Sequence, residues 1–188
     1  MNRHFARYTF SRAAHQLQAG VSLIESLVAL AVVAVGLGTA VPNFSTAGER
    51  RHADGTAAQI ETDVMHVRSL AVAQNRNLRM SFAADAEGSC YVVHAGAAGD
   101  CRCSGNGSTV CSPQAEALRS VYFAAGAPVQ VQANVRSILF DGTKGTTTPT
   151  ATVRVLGRQR EAVHLVVNLM GRVRACSPAA ATPGYRAC

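Results

Sequence analysis

Three groups of side chains in this sequence have types and spacings that can do chemistry. The first is a lone carboxylate, Glu25, in an otherwise apolar run from Val21 to Val41. An apolar medium offers such a group neither water nor a counter-charge, so an acid placed there needs a partner. The second is a basic series towards the carboxyl end. From Arg119 onward nine basic residues (Arg119, Arg136, Lys144, Arg154, Arg158, Arg160, Arg172, Arg174 and Arg186) face two acids, Asp141 and Glu161. Guanidinium groups grip phosphate as a bidentate fork, so a cluster of them can follow a nucleic-acid backbone without reading bases. If 172 and 174 lie in a strand they point to one face, and the Arg158–Arg160 turn can reach the same side. Tyr185 is the one aromatic near this cluster, so base stacking is minor and duplex is a reasonable ligand. A solvated basic edge that keeps a sheet from aggregating uses the same residues and stands as the plainer alternative.

The third group is six cysteines: Cys90, Cys101, Cys103, Cys111, Cys176 and Cys188. An even number behind an apolar anchor reads as disulfides rather than free thiols. Proximity in sequence pairs Cys176 with Cys188, closing a loop that contributes about 3 kcal/mol and holds Arg186 near Arg174. The other four are expected to pair among themselves, as Cys90–Cys101 and Cys103–Cys111. Zinc is the sharper reading of Cys101-Arg102-Cys103, but no Cys-x-x-Cys pair accompanies it. No cofactor is expected. Catalysis is not expected either: His52, His66, His94 and His164 are scattered, and paired carboxylates, a phosphate-cradling Gly loop and a nucleophile motif are missing.

These residues need elements to position them. About 20 apolar residues in a helix span a hydrocarbon core, so Val21–Val41 is long enough to cross a membrane. Pro42 interrupts the pattern, and 43–48 reads as a kink or a short melted stretch. From Glu49 to about Arg76 the pattern is amphipathic. Ala53, Ala57, Ile60, Val64, Val67 and Ala71 form one helical stripe, with Glu61, Asp63, His66, Arg68 and Gln74 assigned to the opposite face. The period then changes to that of strands. Strands are expected at 78–83, 89–94, 119–124, 129–133, 136–140, 151–156 and 162–168, with a last short one at 171–174. The stretches 95–113 and 141–150 read as loops. One long helix followed by a run of strands argues an α+β domain with antiparallel sheet. The net charge is +7, and the three arginines of residues 1–20 leave +4 for the remainder. Excess positive charge favours an anionic partner only where it is gathered in one place.

The amino-terminal residues carry a family resemblance. Arg3, Arg7 and Arg12 stand in a leader without acids, followed by Gly20-Val21-Ser22-Leu23-Ile24-Glu25 and then the apolar run. A secretory signal places its cleavage site after such a run, whereas the Gly here precedes it. The arrangement resembles the type IV prepilin signal, although family members most often have Phe where this chain has Val21. The resemblance implies removal of residues 1–20 after Gly20 by a prepilin peptidase and methylation of the new amino terminus at Val21. It also implies a pilin fold, in which a long helix packs on an antiparallel β-sheet head. The implied segments are a leader at 1–20, a transmembrane and assembly helix at 21–48, and a head at 49–188. The head comprises an amphipathic helix at 49–76 and a sheet domain at 77–188. In a fibre, Glu25 can approach the Val21 ammonium of a neighbouring subunit, a strong pair where the dielectric is low.

The carboxyl half narrows the resemblance. Val135-Arg136-Ser137-Ile138-Leu139-Phe140-Asp141-Gly142, the segment Val163-His164-Leu165-Val166-Val167-Asn168 and the ending Gly171-Arg172-Val173-Arg174-Ala175-Cys176 resemble the GspH/FimT group of minor pilins and pseudopilins. In FimT-type members the Gly-Arg-x-Arg step lies in a region implicated in binding DNA during natural transformation, which points to Arg172 and Arg174 here. Arg154, Arg158, Arg160 and Arg186 are the further candidates from the basic series. The partners implied are other pilin subunits, the prepilin peptidase and DNA. The protein is implied to sit in the bacterial inner membrane, head in the periplasm, before entering a surface pilus or a periplasmic pseudopilus. The alternative is a structural subunit, in a pilus or a type II secretion pseudopilus, that primes fibre assembly and binds no nucleic acid.

Overall fold

The computed structural model describes residues 22–103, 107–158, 162–178 and 182–188. The expected leader, with Gly20 and Val21, lies outside the described residues, as does Arg160. The chain divides into two units, Met1–Pro42 and Asn43–Cys188. Helix α1 is Leu23–Ala73. The stretch after Pro42, expected to be a kink or a short melted stretch, is not melted but helical: a proline deletes one backbone bond and leaves the flanking turns able to make theirs. Among the described residues of the first unit the large apolar side chains are exposed, Leu23 by 78% and Leu37 by 60%. Among the described residues no helix is long and apolar enough to cross a membrane.

In the second unit α1 is followed by β1 (Leu78–Ala84), β2 (Gly88–Ala95), β3 (Cys101–Cys103), β4 (Thr109–Cys111), β5 (Glu116–Ala124), β6 (Val129–Ala133), β7 (Ser137–Phe140), β8 (Thr147–Thr148), β9 (Ala151–Gly157), β10 (Ala162–Val167) and β11 (Val173–Cys176). The helix stops because Asn75 adopts positive φ, and the Arg76 N–H then turns back to the Ala71 carbonyl. The strands form two larger antiparallel sheets, in the orders β5-β2-β1-β7-β8 and β11-β10-β9-β6. A bond from the Val131 N–H to Ser89 Oγ at 2.8 Å stitches one to the other. The expected helical stripe from Ala53 to Ala71 is buried, and it shares one core with Leu78, Met80, Tyr91, Ile138, Phe140, Val153, Val155, Val163, Leu165 and Val167. This is the α+β pilin architecture.

One helix residue departs from expectation. Asp63, assigned above to the polar face, is only 4% exposed. It lies three residues after Ile60 on the flank of the stripe and accepts the Tyr91 hydroxyl at 2.6 Å and Arg119 Nε at 3.1 Å. Gln59 Nε2 reaches the same hydroxyl at 3.4 Å. Burial first, and then the bond to Asp63, push the Tyr91 phenol far above its ordinary pKa.

The cysteine pairing also differs. The expected loop at 95–113 contains the β3–β4 hairpin, in which Cys101 is directly opposite Cys111. That register makes the Cys101–Cys111 disulfide, with Cα atoms 4.1 Å apart, and leaves Cys103 to reach Cys90 on β2. The expected Cys90–Cys101 and Cys103–Cys111 pairs are therefore replaced, because cross-strand register outweighs sequence proximity here. Cys176 is joined to Cys188.

Two predictions follow from the packing. Asp63→Ala strands a buried phenol and loses an ion pair, so urea unfolding followed by circular dichroism should show a loss of about 3 kcal/mol. Tyr91→Phe, which keeps the Asp63–Arg119 pair, should cost about 1 kcal/mol. A pH effect comes from His94, wholly buried on β2, whose burial lowers its pKa from the ordinary 6.5. A depressed histidine favours the neutral form in the fold, so its contribution is present above pH 6.5 and lost as pH falls below that value. Thermal melts between about pH 7.5 and 5 should show this decline, flattened in His94→Gln but not removed, because burial lowers His164 as well.

Candidate nucleic-acid interface

The four-stranded sheet presents one face to the core and the other outward, because successive side chains on a strand alternate. Val131, Val153, Val155, Val163, Leu165 and Val167 point inward and are buried. On the opposite face the register aligns Cys176 with His164, His164 with Arg154, and Arg154 with Gln132, across all four strands. The next row carries Arg174 opposite Val166, and Val166 opposite Thr152. Arg154 and Arg174 are exposed and stand on either side of β10, two strand spacings or about 10 Å apart.

Arg172 is exposed one step before β11, at a position fixed by a turn. Asn168 Oδ1 accepts the N–H groups of Met170 and Arg172, both at 3.0 Å, and the Asn168 N–H returns to the Arg172 carbonyl at 3.1 Å. Gly171 closes this turn at φ +70°, where a Cβ would meet Arg68 Cδ of α1 at 2.5 Å. Arg68 is itself held by donating to the Gly145 carbonyl at 2.8 Å. The helix thus seats the turn from which the Arg172–Arg174 segment starts.

The tail folds back along the same edge. The Ser177 N–H donates to the Arg186 carbonyl at 2.9 Å, the Cys188 N–H donates to the Ser177 carbonyl, and the Cys176–Cys188 disulfide locks the return. Tyr185 anchors the tail to α1 by donating to Asp54 Oδ1 at 2.9 Å, and burial and that bond push its phenol up to about 12. Arg186 is exposed beside the end of β11, level with the row that carries Arg154.

Four of the six candidate arginines therefore gather around one end of the sheet: Arg172, Arg174 and Arg186 at its β11 edge, and Arg154 on the inner strand β9. Among the described residues none of the four has an ion-pair partner, whereas Arg119 is paired with Asp63 and Arg76 with Glu116. Arg158 does not join them. It follows the far end of β9, about 20 Å along the strand from the Arg174 row, and donates to the Gly126 carbonyl. His164, dismissed in the sequence as one of several scattered histidines, sits between Arg154 and Cys176, with Nδ1 3.7 Å from Cys188 Sγ. Burial and then Arg154 lower its pKa. Strand alternation alone could have placed it on the arginine face, had the register been known. Among the described residues no group of His, Cys, Asp or Glu is arranged to hold a metal ion.

Comparisons with known proteins agree with this architecture. The family model of the type II transport protein GspH matches residues 56–171. No curated protein matches the chain significantly. Among solved structures, the chain is similar to the type IV minor pilin FimU of Pseudomonas aeruginosa strain PAO1, at 20% identity and a TM-score of 0.50. That match covers 73% of this chain and 96% of FimU. It is also similar to the minor pseudopilin EpsH of the type 2 secretion system of Vibrio cholerae, at 9% identity and a TM-score of 0.45, covering 67% of this chain and 97% of EpsH. The carboxyl-terminal third of the helix, most of its buried stripe and strands β1 to β10 fall within the matched family region, so this chain belongs to the GspH family and is a type IV pilin-like protein of the GspH/FimT kind.

Proposed function

We propose that this protein is a minor pilin of FimT type that binds DNA without sequence preference through the outer face of its four-stranded sheet. In this reading, residues 1–20 are removed after Gly20 and Val21 is methylated. The segment 21–48 holds the protein in the inner membrane until it enters a fibre, where Glu25 meets the amino terminus of a neighbouring subunit. The exposed apolar side chains of the first unit support that route, since bare leucine and valine call for lipid or for other helices. The partners are pilin subunits, the prepilin peptidase and DNA, and the role is binding and assembly rather than catalysis.

The observation that carries the DNA reading is the grouping of Arg154 on β9, Arg174 on β11 and Arg172 in the turn before it, all exposed and without ion-pair partners among the described residues. Such a surface neutralises phosphates and releases counter-ions, which gives affinity that depends on salt and not on base sequence. Arg186 extends it, while Arg158 is spent on a carbonyl. One observation favours the structural alternative, a subunit that primes a pilus or a type II secretion pseudopilus. The family match ends at Gly171, one residue before the paired arginines.

Fluorescence anisotropy of the full chain in detergent micelles with a labelled duplex separates the two. At about 50 mM salt the unaltered chain should bind, and Arg172→Ala/Arg174→Ala should weaken binding at least tenfold with the circular dichroism spectrum kept. Raising salt to about 200 mM should weaken the unaltered chain more steeply than the double variant. Arg158→Ala should leave affinity within about twofold, as expected for a group outside the cluster. Absence of binding by the unaltered chain at low salt would leave the structural subunit as the function.

A further inference from the structure

A second polar site lies on the five-stranded sheet, on the face turned away from the helix. There β1, β2 and the start of β7 are overhung by the disulfide-closed β3–β4 hairpin, leaving a cleft of about 600 Å³. Its lining includes Ser81, Ser137, Arg102, Arg136, Val92 and Cys101. Ligand clefts are commonly of this size, mostly apolar with a few convergent polar groups.

The two serines are directly opposite each other in the β1–β7 register, which brings their Cβ atoms to about 5 Å. Each is held from behind. Arg79 Nη1 donates to Ser137 Oγ at 3.0 Å. Ser81 Oγ lies 2.8 Å from His94 Nε2. His94 Nδ1 is buried without a partner among the described residues. The Ser137 oxygen is thus occupied as an acceptor by a guanidinium donor, and its O–H is left to donate into the cleft that it lines. Ser81 stands directly opposite, bonded to the imidazole beside it.

Charge favours the same occupant. Arg79 Nε is buried without a partner among the described residues, and Arg102 and Arg136 are exposed at the lining. The one carboxylate close to His94 is Asp100, which accepts the Ala97 N–H at 2.6 Å within its own loop. A hydroxyl donor backed by one guanidinium and flanked by two more forms a receptor for an oxyanion. We infer that the cleft beneath the disulfide-closed hairpin binds a small solute bearing a carboxylate or phosphate group, received by the Ser137 hydroxyl beside Ser81 and flanked by Arg102 and Arg136. The site is on a different sheet from the arginine edge and does not depend on the DNA reading.

Isothermal titration of the full chain in detergent micelles, disulfides intact and ionic strength held with chloride, tests this with inorganic phosphate and with benzoate as probes. At least one should bind saturably, and Ser81→Ala/Ser137→Ala should weaken it about tenfold or more. Preference for phosphate assigns a phosphorylated solute, and preference for benzoate assigns a carboxylic acid with an apolar body. No saturable binding of either probe overturns the inference, as does unchanged affinity in the double serine variant. Should that variant fail to fold, the exposed pair Arg102→Gln/Arg136→Gln decides: several-fold weaker binding upholds the site, and unaltered binding removes it.

Discussion

The carboxylate of Asp63 is the constraint on which the head domain depends. The seam between helix and sheets is otherwise built mainly from apolar side chains, which attract without direction. Such a seam fixes that the helix lies against the sheets and leaves its rotation and slide weakly specified. A buried acid that takes a hydroxyl from β2 and a guanidinium from β5 has one acceptable position, since any shift strands a polar group in the core. From that position the geometry propagates along the helix. Arg68, a little over one turn beyond Asp63, underlies Gly171, and the Gly171 turn starts the strand that carries Arg174.

The arginine edge shows how a sheet gathers charge that is dispersed in sequence. Arg154 and Arg174 are twenty residues apart along the chain, yet only β10 separates them in the sheet. Arg186 reaches the same edge by a different device, a tail returned by the Cys176–Cys188 bond and by Tyr185 on Asp54. An edge strand bearing arginine also resists pairing with another sheet, so solubility and the proposed phosphate binding draw on the same residues. The cluster is marked by arginines brought together from distant parts of the chain without ion-pair partners among the described residues.

Three disulfides divide their work between two places. One closes the tail, one joins the two strands of a small hairpin, and one fastens that hairpin to β2 of the five-stranded sheet. Cross-links of this kind act chiefly by restricting the unfolded chain, and a core poor in aromatics gains from them. The hairpin's bonds also hold Arg102 over the row of Ser81 and Ser137. A segment with almost no large apolar residues is thereby kept in place by covalent bonds rather than by burial.

The sequence by itself determined the elements whose signal is local. The stripe from Ala53 to Ala71 repeats at helical spacing, and most strands follow from alternation bounded by turns, so the long helix and antiparallel sheet were legible; the family was legible separately, through the resemblance of the Gly20–Glu25 segment and the carboxyl-terminal stretches. Tertiary structure decided whatever depends on which strands meet. The cysteine partners followed from the register of a hairpin too short and polar to announce itself, and Asp63 proved buried because its partners come from β2 and β5. Likewise Arg158 and Arg174 carry the same chemistry, and only strand order and turn placement put one at the far end of the sheet and the other at its basic edge. Periodicity is a property of neighbours in the chain, whereas register and burial arise between segments that the sequence lists far apart.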